Sequence, residues 1–303
     1  MRARLPIAPV LAALALLAGA CGSGGDARPQ DPPASATPSS SAAPSSSSAP
    51  PAAPALVDPN PFKLPPRPLA LDAGKRVFTV SDQMLAGAKL GSTLVMYAAT
   101  VAGLDGELLV IEGRNGPPYK VHPSLAIVVP DDPRIQPGDP VVAEHNGVMR
   151  HGVVKKHVKD RILVRYVDGE SRSGESALKT TRFLKQTDGL KPGNYAALGD
   201  GEALRHVLLV SPFDDGQKKW FVLGAGGAAM IALESALEPI PVKFAPRTGT
   251  PVLAEHNGVL RKATVTSTPE TGIFSVKYER AGRPATLGWG FLLPLANEKP
   301  RPR

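Results

Sequence analysis

The stretch PVVAEHNGVMR, residues 140–150, is the most informative part of the sequence, because it recurs as PVLAEHNGVLR at residues 251–261, a spacing of 111. A self-match of this length at a fixed spacing is the signature of an internal duplication. Within it, Asn146-Gly147 and Asn257-Gly258 each follow a short β-rich run. Asn-Gly is a strong hairpin signal, since both turn positions take positive φ. The sequence therefore predicts the same β-hairpin twice.

Weaker matches extend the duplication on both sides of this stretch. Without a gap, the spacing of 111 places Gly113, Gly116, Ser124 and Pro130 on Gly224, Gly227, Ser235 and Pro241, and Ala86 on Ala197. The pattern Ala143-x-x-x-Gly147 also resembles Ala197-x-x-x-Gly201. Residues 74–295 are therefore interpreted as one module written twice, with two related units in each module.

The second unit shows what each unit is expected to form. In residues 161–167, Ile162, Val164 and Tyr166 alternate with polar residues, the period-two pattern of a half-buried strand. Asp168-Gly169 then predicts a turn. Five short strands in about 50 residues predict a small closed or nearly closed barrel, which hides strand edges. A short 3₁₀ turn is expected before the last strand of the first and third units.

The second unit resembles a Tudor-type SH3-like barrel. The matching residues are Gly138-Asp139-x-Val141-x-Ala143-x-x-x-Gly147, Gly152-x-Val154 and Val164-x-Tyr166-x-Asp168-Gly169. The resemblance implies an all-β chain of four tandem small SH3-like (Tudor-like) barrels, arranged as a duplicated pair. Tudor domains bind methylated Lys or Arg in an aromatic cage. The first-hairpin aromatics of such a cage are replaced by Met149-Arg150 and Leu260-Arg261, so the resemblance implies the barrel and not this activity.

The N-terminus has the pattern of an export signal. Arg2 and Arg4 precede an uncharged apolar run that ends at Ala20, just before Cys21. A basic head, an apolar middle and small residues before a cleavage site are typical of a signal peptide. The ending resembles a bacterial lipobox, which implies a diacylglycerol and a palmitate on Cys21. Ordinary cleavage that leaves a free thiol is the alternative.

The residues that follow Cys21 predict a disordered tether and a location. They are rich in Ser, Pro and Ala and offer little apolar surface to bury. We expect a protein anchored to the membrane of the cell envelope by its N-terminal lipid, in the outer membrane if the host is Gram-negative, since Gly22 rather than Asp follows the cysteine. The expected boundaries are a signal peptide at 1–20, the lipidated Cys and linker at 21–73, barrel units at 74–132, 133–187, 188–243 and 244–297, and a basic tail at 298–303.

Seven residues besides Cys21 are candidates for ligand binding. They are the Glu-His pairs at the two hairpins and the residues that match Tudor cage positions: Glu144, His145, Tyr166, Asp168, Glu255, His256 and Tyr278. Each pair is too small for a tight metal site without further ligands. No metal and no cofactor is predicted.

These features favour a non-catalytic binding or scaffolding lipoprotein, because no catalytic motif is present in the sequence. The expected partners, besides the membrane, are a protein, a peptide or an anionic glycan of the envelope. The chain carries +8, and +6 once Arg2 and Arg4 are removed with the signal, which is modest for a nucleic-acid protein. The alternative is an envelope hydrolase that acts on cell-wall polymer between barrels. Convergence of Glu, His, Asp and Ser from different units in one cleft would favour it.

Overall fold

The computed structural model describes residues 57–69, 71–113, 116–131, 134–168, 174–179, 182–201, 203–280 and 284–295. The predicted signal peptide, Cys21, most of the linker and the basic tail lie outside these residues. In the described ranges, no helix has the length and apolar character that crossing a bilayer requires.

The chain is all-β, and its described strands form two antiparallel sheets of ten strands each. The first sheet contains β1 (Arg76–Thr79), β2 (Tyr97–Asp105), β3 (Leu108–Ile111), β4 (Tyr119–Val121), β5 (Ala126–Val128), β6 (Pro140–His145), β7 (Val148–Val158), β8 (Arg161–Tyr166), β9 (Glu175–Lys179) and β10 (Phe183–Lys185). The second contains β11 (Tyr195–Asp200), β12 (Ala203–Asp214), β13 (Lys218–Leu223), β14 (Ala229–Leu233), β15 (Leu237–Pro239), β16 (Pro251–His256), β17 (Val259–Glu270), β18 (Ile273–Tyr278), β19 (Ala285–Gly288) and β20 (Leu292–Pro294).

The strands fall into four groups of five with the same order of pairing. In each group the first strand pairs with the second and the fifth, which gives the order 5-1-2-3-4. Groups one and two join where Tyr97 of β2 pairs with Val148 of β7, and groups three and four where Arg205 pairs with Val259. The expected closed barrels are not formed by the described strands, because in no group does the fourth strand pair with the fifth.

The two predicted Asn-Gly hairpins are confirmed. Asn146 and Asn257 both have φ of 51°, and Gly147 and Gly258 have φ of 81° and 80°. The alternation in β8 is confirmed as well, since Ile162, Val164 and Tyr166 are buried between more exposed neighbours. These features are local, so the sequence alone is enough to specify them.

The predicted 3₁₀ turns before the fifth strand are also present. They lie at Pro123–Leu125 in the first group and at Glu234–Ala236 in the third, where the spacing of 111 still holds. In both turns the first residue of the following strand closes the turn with its backbone N–H.

The match of Ala86 with Ala197 is wrong. The Gly74 and Gly193 backbones each donate a hydrogen bond of 2.8 Å to the second strand, at Val101 and Leu209 respectively, so β1 corresponds to β11. Ala86 lies beyond β1, at the end of the one-turn helix α1 (Asp82–Leu85). This helix belongs to a long β1–β2 connection, whereas β11 and β12 are joined by a tight turn at Gly201. The insertion shifts the spacing locally.

The two sheets share one hydrophobic core. A single cluster contains Phe78 and Leu109 of the first sheet together with Phe221 and Leu223 of the second. The segment before β1 adds Phe62, whose ring lies 5.0 Å from that of Phe221. Residues of the β1–β2 connection also hydrogen-bond to the second sheet, for example from the Leu94 N–H to the carbonyl of Gly227 (2.9 Å). The described body is therefore continuous across the duplication.

Candidate ligand-binding site

Six of the predicted site residues form a structural unit that is present in both copies. The Tyr166 hydroxyl donates a hydrogen bond of 2.5 Å to the carbonyl of Glu144, and the Tyr278 hydroxyl donates to the carbonyl of Glu255. The imidazole of the histidine that follows each glutamate packs on the tyrosine, with ring centroids 4.5 Å and 4.8 Å apart at His145 and His256. Both tyrosines are buried, so they tie the hairpin to the third strand of the group.

The two glutamates at these hairpins have different surroundings. The Glu144 carboxylate makes ion pairs with Arg76 (3.2 Å) and Arg182 (3.0 Å). Strand pairing places Tyr195 at the position that corresponds to Arg76 and Phe291 at the one that corresponds to Arg182. Neither replacement carries a positive charge. The Glu255 carboxylate instead accepts a hydrogen bond from the Gly258 N–H (2.7 Å) and lines a cavity.

This cavity, the central pocket, has a volume of about 480 Å³ and lies where all four groups meet. Its polar lining comes from Arg150, His151, Asp168, Tyr195, His206, Glu255 and Asn257, and its apolar lining includes Leu94, Met96, Val148, Leu208, Leu223 and Phe291. A pocket of this size with a few convergent polar groups is typical of a small-molecule site.

A stack of aromatic rings forms one side of the central pocket. The Tyr195 ring lies between His151 and His206, with centroid distances of 4.2 Å and 4.3 Å. Phe291 extends the stack against both Tyr195 (5.0 Å) and His206 (4.9 Å). Tyr195 therefore packs against three other rings.

Hydrogen bonds fix both imidazoles. His151 contacts the Asp168 carboxylate through Nδ1 (3.1 Å) and the Gly193 carbonyl through Nε2 (2.7 Å). Because Nε2 must carry a hydrogen to reach a carbonyl, the Nδ1–Oδ2 contact needs one further proton, shared by the histidine and the carboxylate. His206 donates from Nε2 to the Gly290 carbonyl (2.7 Å).

Burial determines the electrostatics of the stack. It lowers the pKa of His206 to about 4, so this imidazole is neutral at pH 7. Burial also raises the pKa of Tyr195 well above its ordinary value, and the neighbouring Asp168 carboxylate adds to the effect. The charge of Arg150 opposes this increase in the pKa of Tyr195, and the charge of Glu255 reinforces it.

Two polar atoms of the central pocket are buried without a hydrogen bond of normal length and angle to any described residue, although the Tyr195 hydroxyl interacts with the Asp168 carboxylate as a hydrogen-bonding neighbour. They are Nε of Arg150 and Oδ1 of Asp168. The Asp168 side chain is only 8% exposed. Its other oxygen accepts from the His151 N–H at 2.9 Å. Unpaired buried polar groups are costly, so a ligand that offers partners to these two atoms would be stabilised in this part of the pocket.

A glycine-rich turn closes the opposite side of the central pocket. Gly226 and Gly227 both have positive φ, and a Cβ at Gly227 would lie 2.1 Å from the Leu94 carbonyl oxygen. A Cβ at Gly258 would lie 2.2 Å from that of Ala225. Only glycine allows the first group, this turn and the second Asn-Gly hairpin to approach so closely.

The central pocket contains only two of the seven predicted ligand-binding residues, Asp168 and Glu255. Sequence reasoning missed Arg150, Tyr195 and His206. The sequence could have revealed this site through the positions at which the two copies of the module carry different residues. Lys262 corresponds to His151, and Arg280, two residues after Tyr278, corresponds to Asp168. The pocket is formed where the copies differ.

The lining limits the chemistry that the central pocket can perform. Its described residues include no Ser, Thr or Cys, and both ring nitrogens of His151 contact neighbouring groups. Among the described residues, no group of three or more His, Cys, Asp or Glu is arranged to hold a metal ion. The arrangement is suited to recognition by charge and hydrogen bonding.

The sequence matches no protein-family model, and no curated protein matches it significantly.

Proposed function

We propose that this protein is a lipid-anchored lipoprotein of the cell envelope that binds a partner in its central pocket without catalysing a reaction. The anchor is supported by the signal-like N-terminus and by Cys21, the only cysteine of the chain. The observation that carries the binding function is the convergence of four groups of strands on one pocket with two unpaired buried polar atoms.

A relationship of each five-stranded group to SH3-like barrels is part of this proposal. The common 5-1-2-3-4 order and the 3₁₀ turns before β5 and β15 support it. The burial of Tyr166 and its bond to a backbone carbonyl argue against an aromatic cage for methylated residues. In this proposal the small units serve as walls of a shared site and do not each bind a ligand.

Crosslinking in intact cells tests the binding function. A photo-crosslinking amino acid at Asn257, which is exposed and lines the central pocket, is compared with the same amino acid at Lys218, which is exposed outside it. We expect a species that is captured at position 257 and not at 218. Identical products at both positions, or no product at 257, would contradict binding in this pocket.

The anchor is tested separately. Cells that express the chain are labelled with a palmitate analogue, and the chain is compared with Cys21→Ser. We expect label and membrane association in the wild type and the loss of both in the variant. A labelled Cys21→Ser chain would place the lipid elsewhere, and an unlabelled wild-type chain would refute the anchor.

One observation favours the alternative, a hydrolase that acts on cell-wall polymer. Histidine and carboxylate side chains from different groups do converge in one cleft, including His151, Asp168 and Glu255. Purified protein is incubated with isolated wall polymer, and released fragments are measured. Release by the wild type that disappears in Glu255→Gln would establish catalysis and overturn the non-catalytic proposal.

A further inference from the structure

The two unpaired atoms of the central pocket require opposite partners. Arg150 Nε is a donor on a permanent cation, whereas Asp168 Oδ1 is an acceptor on a carboxylate. Arg150, Asp168 and Glu255 all line this one cavity, and all three act on the charge of the Tyr195 hydroxyl. A ligand that completes this site must present an acceptor to Arg150 and a donor to the carboxylates.

The charges of the pocket balance one another. The shared proton makes the His151–Asp168 pair neutral as a whole, which leaves the positive Arg150 opposite the negative Glu255. A simple anion would meet Glu255, and a simple cation would meet Arg150, so either would be repelled on one side. A neutral ligand with separated charges avoids both repulsions.

The remaining lining defines the rest of the ligand. The Tyr195 ring already packs against His151 and His206, so it is engaged by protein side chains and not by a ligand ring. Leu94, Met96 and Leu223 provide apolar surface in the same cavity. The volume of about 480 Å³ accommodates a small molecule with an apolar chain.

We propose that the central pocket binds an α-amino-acid zwitterion, with its carboxylate on Arg150, its ammonium on Asp168 and Glu255, and its apolar side chain against Leu94 and Met96. The inference rests on the proposed binding function and names the ligand class for that site. The zwitterion belongs either to a free amino acid or to an amino-acid group at the end of a larger molecule.

Calorimetric titration of the full chain in detergent tests the inference. The probes are leucine, its N-acetyl derivative, which lacks the ammonium, and leucinamide, which lacks the carboxylate. Nε-acetyl-lysine carries the same zwitterion at the end of a longer chain and distinguishes the two sources. We expect leucine, Nε-acetyl-lysine or both to bind, and each blocked derivative to bind at least about tenfold more weakly, since each loses a charge-assisted hydrogen bond.

The duplication provides a matched pair of variants. Arg150→Gln should weaken binding by about tenfold or more, whereas Arg261→Gln, at the corresponding and exposed position of the second copy, should leave it unchanged. Thermal unfolding of both variants verifies that they fold. Glu255→Gln should weaken binding of the zwitterion in the same way.

Two outcomes would overturn the ligand class. One is that neither leucine nor Nε-acetyl-lysine binds, and the other is that a blocked derivative binds as well as leucine. If position 257 still captures a partner in cells under either outcome, the binding function stands and only the zwitterion is refuted. If no partner is captured there and no probe binds, both proposals fail.

Discussion

Tyr166 and Tyr278 were predicted as ligand-binding residues, but the structure gives them a structural role. Both match positions of the Tudor pattern or its repeat, yet each hydroxyl is bonded to a glutamate carbonyl of the neighbouring hairpin. Because each of these bonds lies in a partly buried position, loss of the hydroxyl leaves the carbonyl without this donor.

We therefore expect Tyr166→Phe and Tyr278→Phe each to lower the free energy of unfolding by about 1 kcal/mol. Urea denaturation of the full chain measures the change. Tyr97→Phe, at a partly exposed residue that lines another cavity, is the control and should have a smaller effect. Unchanged stability in both buried variants would mean that the bonds contribute nothing.

His206 predicts a pH dependence of stability. Its pKa is about 4 in the folded protein and about 6.5 in the unfolded chain, so the unfolded state binds more protons between these values. The contribution is fully present above pH 6.5 and is lost as the pH falls toward 4. It amounts to roughly 3 kcal/mol.

The measurement is the unfolding free energy at pH 7 and at pH 4.5 for the wild type and for His206→Gln. The wild type should lose more stability over this range than the variant does, whatever their absolute stabilities. His256→Gln, which alters the partly exposed histidine of the hairpin, is the control. If the wild type and His206→Gln lose the same unfolding free energy between pH 7 and pH 4.5, His206 is not the origin of the pH dependence.

At this scale the sequence predicted the residues that repeat and not those that form the pocket. Glu255 was identified because it lies within a duplicated motif. Arg150 lies in the same motif, but its role depends on Asp168 and Tyr195, which come from other strands. Local sequence patterns do not show which distant segments come into contact. The pocket could therefore not be predicted from such patterns.

The glycine-rich turn between β13 and β14 allows a direct test of how much close packing contributes to stability. Its two adjacent glycines differ in the room that is available for a side chain. Gly226 has positive φ and open space where a Cβ would lie, whereas Gly227 has positive φ and no space at all beside Leu94. Gly226→Ala should cost about 1 kcal/mol for its backbone conformation alone.

Gly227→Ala should cost about 3 kcal/mol or more, since the connection before β2 must move away from the turn. Urea denaturation of both variants gives the comparison. The same movement opens the central pocket, so binding of a pocket ligand should fall in Gly227→Ala more than in Gly226→Ala. If both variants lower the free energy of unfolding equally, the close contact between Gly227 and Leu94 does not contribute to stability.

Elements also show where sequence reasoning succeeds and where it stops. The Asn-Gly hairpins were predicted correctly, because two residues specify their turn. Helix α1 was missed, because one turn of helix has no periodicity to detect. Its insertion also displaced the alignment of Ala86. The described strands do not close into barrels, since the fourth and fifth strands of a group do not pair, and no local pattern shows this or the pairing of Tyr97 with Val148 that joins two groups.

For the whole molecule, the shared core predicts that the two sheets unfold together. The chain has two tryptophans. Trp220 in β13 packs within the second sheet, whereas Trp289, between β19 and β20, also packs against Val153 of the first sheet. Ile127 is buried in β5 of the first sheet, within the cluster that also contains Phe221. A loss of packing at Ile127 should therefore be transmitted to a signal from the other sheet.

We expect Ile127→Val to lower the unfolding free energy by about 1 kcal/mol, with the same shift in tryptophan fluorescence and in far-ultraviolet circular dichroism. Leu104→Ala, at an exposed residue of the first sheet, should shift neither signal appreciably. If the fluorescence transition stays in place while the circular dichroism transition moves or splits, the sheets unfold separately. The pocket would then lie between two independent bodies, and its geometry would depend on how they associate. Coincident shifts would instead mean that the duplicated halves hold the site as one cooperative unit.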